Sequence, residues 1–271
     1  MAKRFNFDVS HYPQLPQLRG LMIMGTDAEV GKTLAAGAIA RSLVSDGRKL
    51  EVFKPVATGC KRHGTRQLSH EAAFLAACSD SRRQLRQIVP TMYKHELLPN
   101  VAAEWTKREI DLDAILGEYA TLTGQADAVI VEAPEGVMCP ITDDFWSIHF
   151  ALLAKLPVVL VARAGLGTVN QTLLSLHALR SVGLRVAGVV INRYHVDPAA
   201  EREITDPNLP YTHGDEDLAM YTNPTQIAER GRVEVLATIP EEADNSVQDV
   251  VIGRNTQFAV DQPDWWRLME D

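Results

Sequence analysis

The run Gly25-Thr26-Asp27-Ala28-Glu29-Val30-Gly31-Lys32-Thr33, directly after the apolar Leu21-Met22-Ile23-Met24, constrains this chain more than any other segment. Four apolar residues without polar interruption read as a short strand buried on both faces. The glycines that follow let a loop fold back so that its amide N–H groups converge on an anion. A helix starting at Lys32 adds the positive potential of its N-terminus. Lys32 then reaches outer phosphates as a point charge, and the Thr33 hydroxyl takes a place on Mg²⁺. Phosphate loops ordinarily have four residues between the two glycines. Here residues 26–30 make five. Strand, loop and the apolar helix that residues 34–44 continue still read together as a nucleotide cradle.

Length and charge narrow the remainder. A chain of 271 residues with 46% hydrophobic content is ample for one packed α/β domain. A net charge of −8 argues against nonspecific nucleic-acid binding, because no contiguous basic face is left to neutralise phosphates. Lys61-Arg62-His63 and Arg82-Arg83 read as solvated surface. Cys60, Cys78 and Cys139 lie far apart, without metal-ligand spacing or an even count to pair, which is the usage of a reducing cytoplasm. No apolar stretch approaches the roughly 18 residues of a membrane span. Residues 1–19 are polar with Pro13 and Pro16, lack a secretory apolar core, and read as an extension outside the body of the fold.

Strand-like runs alternate with helical stretches, the pattern of a parallel sheet flanked by helices on both faces in three α/β/α layers. Strands are expected at 21–24, 50–55, 128–132, 158–162, 186–192 and 233–239. Helices are expected at 32–45, 69–78, 112–123, 145–155, 169–182 and 225–230, with Gly183 and Gly231 stopping the last two. Residues 20–271 thus read as a single domain, with 198–214, rich in Pro, Asp and Thr, as a surface insertion. Trp265-Trp266 is expected to pack onto the body. In open parallel sheets ligands collect beyond the carboxyl ends of the strands. Every such end here carries glycine or a polar group: the loop at 25–33, Lys54-Pro55-Val56-Ala57-Thr58-Gly59, Glu132-Ala133-Pro134-Glu135-Gly136, the segment 163–170, and Asn192.

Taken in order, these tips resemble the dethiobiotin synthetase family. The five-residue spacing of the loop, the 54–59 tip, the acid ending the third strand, the run 157–172, Gly188-Val189-Val190-Ile191-Asn192 and the late Ala237-Thr238-Ile239-Pro240 all match that family's landmarks. The likeness is good over 20–192 and rests afterwards on Asn223-Pro224 and Ile239-Pro240. It implies a homodimer with its active site at the subunit interface, using ATP and Mg²⁺ on 7,8-diaminononanoate and CO₂ or bicarbonate. In that family's reaction an amine becomes a carbamate, the carbamate attacks the γ-phosphate, and the second amine closes the ureido ring. Fixed cations and amide N–H groups must therefore cover two anions that approach one another.

By this resemblance Lys54 and Lys32 are catalytic. Nucleotide binding falls to Thr26, Asp27, Glu29, Val30, Gly31, Lys32, Thr33 and Leu34, with Glu132, Glu135, Asn192, Ile239, Pro240 and Glu241. Thr33, Glu71 and Glu132 match the Mg²⁺ ligands. Thr58 matches a substrate-holding hydroxyl, and Gly167, Thr168, Val169 and Asn170 open a helix that holds the substrate carboxylate across the dimer. Each residue also has a plainer reading. Lys54 suits a solvated strand end, Thr58 a turn cap, Glu132 or Thr168 a helix cap, and Asn192 a turn.

Three departures from the family pattern stand out. The tip ordinarily written Glu-Gly-Ala-Gly-Gly is Glu132-Ala133-Pro134-Glu135-Gly136, which removes an N–H and adds a charge. The second family acid, ordinarily Asp, is matched by Glu71, and the Pro-x-x-Pro-His segment becomes Leu97-Leu98-Pro99-Asn100, without the histidine. Alternatives stay open at this point: a divergent or inactive paralogue that keeps nucleotide, an amide-forming ATPase such as that half of cobyrinate amidotransferases, or a partitioning-type ATPase switch. The length left over cannot house a glutaminase domain, and the acidic tail lacks a switch protein's basic amphipathic end.

Overall fold

The structure, a computed structural model, describes residues 6–63 and 66–270. In chain order, β1 (Gly20–Gly25) leads through the glycine loop into α1 (Lys32–Ser45) and β2 (Leu50–Phe53). Short strands β3 (Val56–Ala57), β4 (Lys61–His63) and β5 (Arg66–Leu68) precede α2 (His70–Cys78), α3 (Leu85–Ile88) and β6 (Thr91–Met92). Then come α4 (Pro99–Thr106), α5 (Leu112–Ala120), β7 (Ala128–Gly136), α6 (Ser147–Ala154), β8 (Val158–Arg163) and α7 (Thr168–Ser181). Last are β9 (Val186–Tyr194), α8 (Pro198–Thr205), α9 (Asp215–Gly231), β10 (Val235–Pro240) and α10 (Arg254–Val260), with one 3-10 turn at Arg267–Met269.

Six strands form one parallel sheet in the order β10-β9-β8-β1-β7-β2. Side chains alternate between its faces, and the central strands β1 and β8 are buried on both, which is why several strands read as unbroken apolar runs. Met22, Met24, Val129, Val131, Val158 and Leu160 join one core with Tyr119 of α5, Phe150 of α6, Leu179 of α7 and Ile227 of α9. Leu21, Ile23, Ala128, Ile130, Val159 and Val161 join the other with Ala35 and Ile39 of α1, Phe74 of α2 and Val260 of α10. Each expected strand is present, five of them within two residues at either end, while β7 runs four residues past the expected 132, and the three layers follow.

Four differences from the sequence reading have physical causes. Residues 6–18 do not lie outside the core. Leu15 is buried within it, Tyr12 meets Phe145 edge-on at 4.9 Å between ring centres, and His149 Nε2 donates to the Asn6 carbonyl at 2.8 Å. Phe7, Val9, Tyr12, Leu15 and Leu18 follow neither a helical nor an alternating period, so two prolines concealed a packed strap. Residues 1–5 of the expected extension lie outside the described residues.

The helix expected at 225–230 begins ten residues earlier and runs through Pro224, whose missing N–H a helix of 17 residues tolerates. Gly231 is that helix's last residue and not its left-handed stop, a conformation that Arg232 takes at φ 45. The glycine is there for closeness, since a Cβ on it would stand 2.8 Å from Leu176 of α7. Within 198–214 the chain forms α8, started by Asp197 Oδ1 accepting from the Ala199 N–H at 2.7 Å. Trp265 is buried against the body, as expected, and Trp266 lies between the guanidinium groups of Arg19 and Arg48 at 3.8 and 4.0 Å.

Candidate active site

Beyond the carboxyl ends of β1, β2, β7 and β9 the tips enclose a cavity of about 890 Å³. Its floor is the glycine loop. Gly31 holds φ 92, and a Cβ there would stand 1.8 Å from Asn192 Nδ2, so this position needs glycine for both conformation and space. Asn192 in turn donates from Nδ2 to the Val30 carbonyl at 2.9 Å and fastens the β9 tip to the loop. A Cβ on Gly25 would meet the Asp27 carbonyl at 2.7 Å and the Glu135 carbonyl at 2.9 Å. Loop and β7 tip are therefore pressed back to back. No side chain caps α1, and the first N–H groups of an uncapped helix suit an anion.

Lys32 opens α1, is buried, and donates from Nζ to the Asp27 carbonyl at 3.2 Å. Burial pushes its ammonium below the ordinary lysine value, with Glu132 opposing that shift. Lys54, one residue past β2, is buried between two carboxylates. Its Nζ lies 2.6 Å from Glu71 Oε2 and 2.8 Å from Glu132 Oε1. Burial alone would lower its pKa, but Glu132 and Glu71 outweigh burial and hold it well above the ordinary value. Lys54 is therefore a fixed cation and cannot serve as a proton acceptor at neutral pH.

Thr33 Oγ1 donates to Glu132 Oε1 at 2.8 Å and lies 3.3 Å from Glu71 Oε1. Glu132 is 1% exposed, and its Oε2 is buried with no partner. A buried carboxylate oxygen without a partner is costly unless a cation completes it. The Thr33 hydroxyl and two carboxylates are a donor set for Mg²⁺, an ion that takes few protein ligands and keeps waters and phosphate oxygens. Among the described residues no group of three or more His, Cys, Asp or Glu could hold a metal ion, so the phosphates must share in any such site.

Most of the expected residues meet here. Glu29, Gly31, Lys32, Thr33, Leu34, Lys54, Thr58, Glu71, Glu132, Glu135, Asn192, Pro240 and Glu241 line the cavity. Four of the expected nucleotide-binding residues do not reach its wall. Val30 and Ile239 are buried behind it, and Thr26 donates its N–H to the Val161 carbonyl at 2.9 Å. The Asp27 side chain accepts from the Ala28 N–H at 2.8 Å. Gly167, Thr168, Val169 and Asn170, at the start of α7, are also absent from the wall.

Sequence reasoning missed Arg193, at φ 57 beside Asn192, and Glu96, which packs near Gly59. It also missed Glu242, Asn245 and Val247 after β10. Glu242 accepts from the Thr256 N–H and hydroxyl, both at 2.6 Å, and so draws that loop over the cavity and caps α10. The second acid after β10, next to the expected Glu241, was the available signal. Pro134 does not break β7: its carbonyl accepts from Ser147 Oγ at 3.0 Å, and the strand continues to Gly136.

The AAA domain family matches residues 19–248. The ATP-dependent dethiobiotin synthetase BioD of Bacillus subtilis (strain 168) is 31% identical over 192 residues, covering 71% of this chain and 81% of the relative. That of Anaeromyxobacter sp. (strain K) is 34% identical over 227 residues, covering 84% and 92%. Among solved structures, the ParA family ATPase from Chlorobium tepidum TLS superposes with a TM-score of 0.50 at 11% identity, covering 93% of this chain and 98% of that one. That last likeness speaks for the fold alone.

Proposed function

We propose a mechanism from one premise: this chain belongs to the ATP-dependent dethiobiotin synthetase family. Its function is to close the ureido ring of dethiobiotin from 7,8-diaminononanoate and CO₂ at the expense of ATP. The observation that carries this reading is Lys54 buried between Glu71 and Glu132 on the wall of the cavity that Gly31 and Lys32 floor.

A carbamate and a terminal phosphoryl group repel one another until fixed cations lie between and around them. Lys32 approaches from the loop and Lys54 from the neighbouring tip. Because Lys54 stays protonated, it donates hydrogen bonds to the incoming carbamate and takes no proton from it. Glu71 and Glu132 hold that ammonium in place beforehand, so little reorganisation is left for the reaction itself. Thr33, Glu132 and Glu71 would hold Mg²⁺, which supplies charge neutralisation at the phosphate oxygens when bound. Thr58 stands on the same wall as a hydroxyl for the substrate.

The α7 N-terminus takes the substrate carboxylate from a second copy of the chain. Gly167 caps α7 without a side-chain bond, and Leu166 and Leu174 are 80% and 61% exposed, which supports covering by another subunit. Among the described residues no helix is long and apolar enough to cross a membrane, and the three buried free cysteines suit the cytoplasm.

The deciding experiment incubates the chain with ATP, Mg²⁺, bicarbonate and 7,8-diaminononanoate. Phosphate release that requires the diamine, with dethiobiotin formed, is expected. Release without diamine would point to an ATPase switch, and no release to an inactive paralogue. Lys54→Ala should lower turnover by at least about 100-fold while ATP affinity stays within a few-fold.

A further inference from the structure

Glu135 sits where glycine would be easier. Its backbone is at φ 41, in the left-handed region where a side chain crowds its own carbonyl. The neighbouring Gly136 would have suited that conformation, yet the tip places an acid there, and Glu135 is among the residues that line the cavity. Burial raises the Glu135 carboxyl, and Lys32 offsets part of that rise.

The cations around it are spoken for differently. Lys54 is paired with Glu71 and Glu132. Lys32 donates to the Asp27 carbonyl at 3.2 Å, and among the described residues no ion pair joins it to Glu135. One cavity therefore presents a lysine and a glutamate on adjacent tips that feel each other's charge without forming a direct ion pair. Carboxylates also outnumber cations along the wall. Two ligands of opposite charge, held side by side, complete both groups. The anion is the phosphate that Lys32 is placed to meet, and the reading above supplies a cation in the protonated diamine.

We propose that the Glu135 carboxylate binds an ammonium group of the diamine substrate, holding it beside the phosphate grip of Lys32. This rests on the dethiobiotin synthetase reading. Leu97, Leu98 and Pro99 line the same cavity and give the alkyl chain an apolar wall. Glu135 is thus a substrate-binding residue that selects a cationic ligand, in a place where a glycine tip would offer backbone alone.

The test compares the whole chain with E135Q and E135D in steady-state kinetics, together with calorimetric titration of 7,8-diaminononanoate without ATP. E135Q should raise KM for the diamine about tenfold or more, the loss of one charge-assisted hydrogen bond. KM for ATP should stay within about twofold and E135D should recover most of the loss, since only the charge is restored. Calorimetry should show the same weakening of the diamine in E135Q. An unchanged diamine KM overturns the proposal. So does a lower ATP KM with no diamine effect, which would mean that the carboxylate merely opposes phosphate at Lys32. A shift confined to the Mg²⁺ requirement also overturns it. If the unaltered chain turns over no diamine, the functional reading fails, and calorimetry still decides on Glu135: weaker diamine binding in E135Q upholds it, equal or absent binding in both sinks it.

Discussion

Helices α1 and α7 are built alike and end up differently. Each is 14 residues long, and each follows a glycine at positive φ, Gly31 at 92 and Gly167 at 83, with no side-chain cap. Around α1 the β7 tip, α2 and Asn192 close in, so Lys32 and Thr33 are buried and the space at Gly31 is filled. The start of α7 is more open, although α9 packs along the helix and Asn223 Nδ2 donates to the Gly165 carbonyl at 2.9 Å. A Cβ on Gly167 would meet no atom within 4 Å, Leu166 is exposed, and Thr168 Oγ1 is buried without a partner. The same local device makes a binding site only where neighbouring tips supply the remaining groups. In this fold α1 finds them within its own chain, and α7 would need another.

Alanine at the two glycines breaks that comparison most directly. Gly31→Ala places a methyl group 1.8 Å from Asn192 Nδ2 at φ 92. It should cost about 2–5 kcal/mol in a denaturant titration, the sum of overpacking and left-handed strain. ATP binding should fall with it. A variant that keeps both stability and ATP would show that the loop yields easily and that Asn192 does not fix it.

Leu174→Glu should convert a dimer to a monomer in sedimentation and lower diamine turnover about tenfold, with ATP affinity kept, because a charge has been put on an exposed apolar face. If the chain is monomeric from the outset, the proposed role of α7 falls. A smaller effect concerns pH. Burial opposes but Lys54 outweighs it, so Glu71 is held below its ordinary value of 4.5. The stabilisation it brings is present above that value and lost as pH falls through its folded pKa. Thermal melting should thus weaken below about pH 4.5, and Glu71→Gln should flatten that decline. Lys54 is shifted upward, so its contribution is complete below its ordinary 10.5 and fades only at higher pH. The smallest effect belongs to the open helix. Gly167→Ala should cost only about 1–2 kcal/mol of stability, the left-handed penalty with no clash added.

What was legible in the sequence follows the same divide. The six strands could be read because most of their residues are buried and apolar, with few polar interruptions such as Glu51 in β2. The grip could be read because Gly31, Lys32 and Thr33 stand at the start of a helix, Lys54 directly follows a strand, and Glu132 is the lone acid in the apolar run of β7, positions where residue type is tied to chemistry. Positions further from a strand end were opaque. Glu96 reaches the cavity through loop geometry that no period encodes, and Arg193, although near the end of β9, through a left-handed backbone at φ 57. Residues 6–18 pack through scattered apolar side chains, and Thr26, Val30 and Ile239 turn away from the cavity for reasons of packing that a motif does not record. Helices α4 and α10 are short and irregular in pattern, and only Pro99 at the start of the first gave a boundary signal.

The indole side chains have a practical consequence. Trp105 is 72% exposed on α4, whose first turn contributes Pro99 to the cavity. Trp265 and Trp266 are fastened at the opposite, amino end of the strands, where Arg19 enters β1. Excited together, these rings would report on separate events: Trp105 on the arrival of a ligand, and the rear pair on the melting of the whole body.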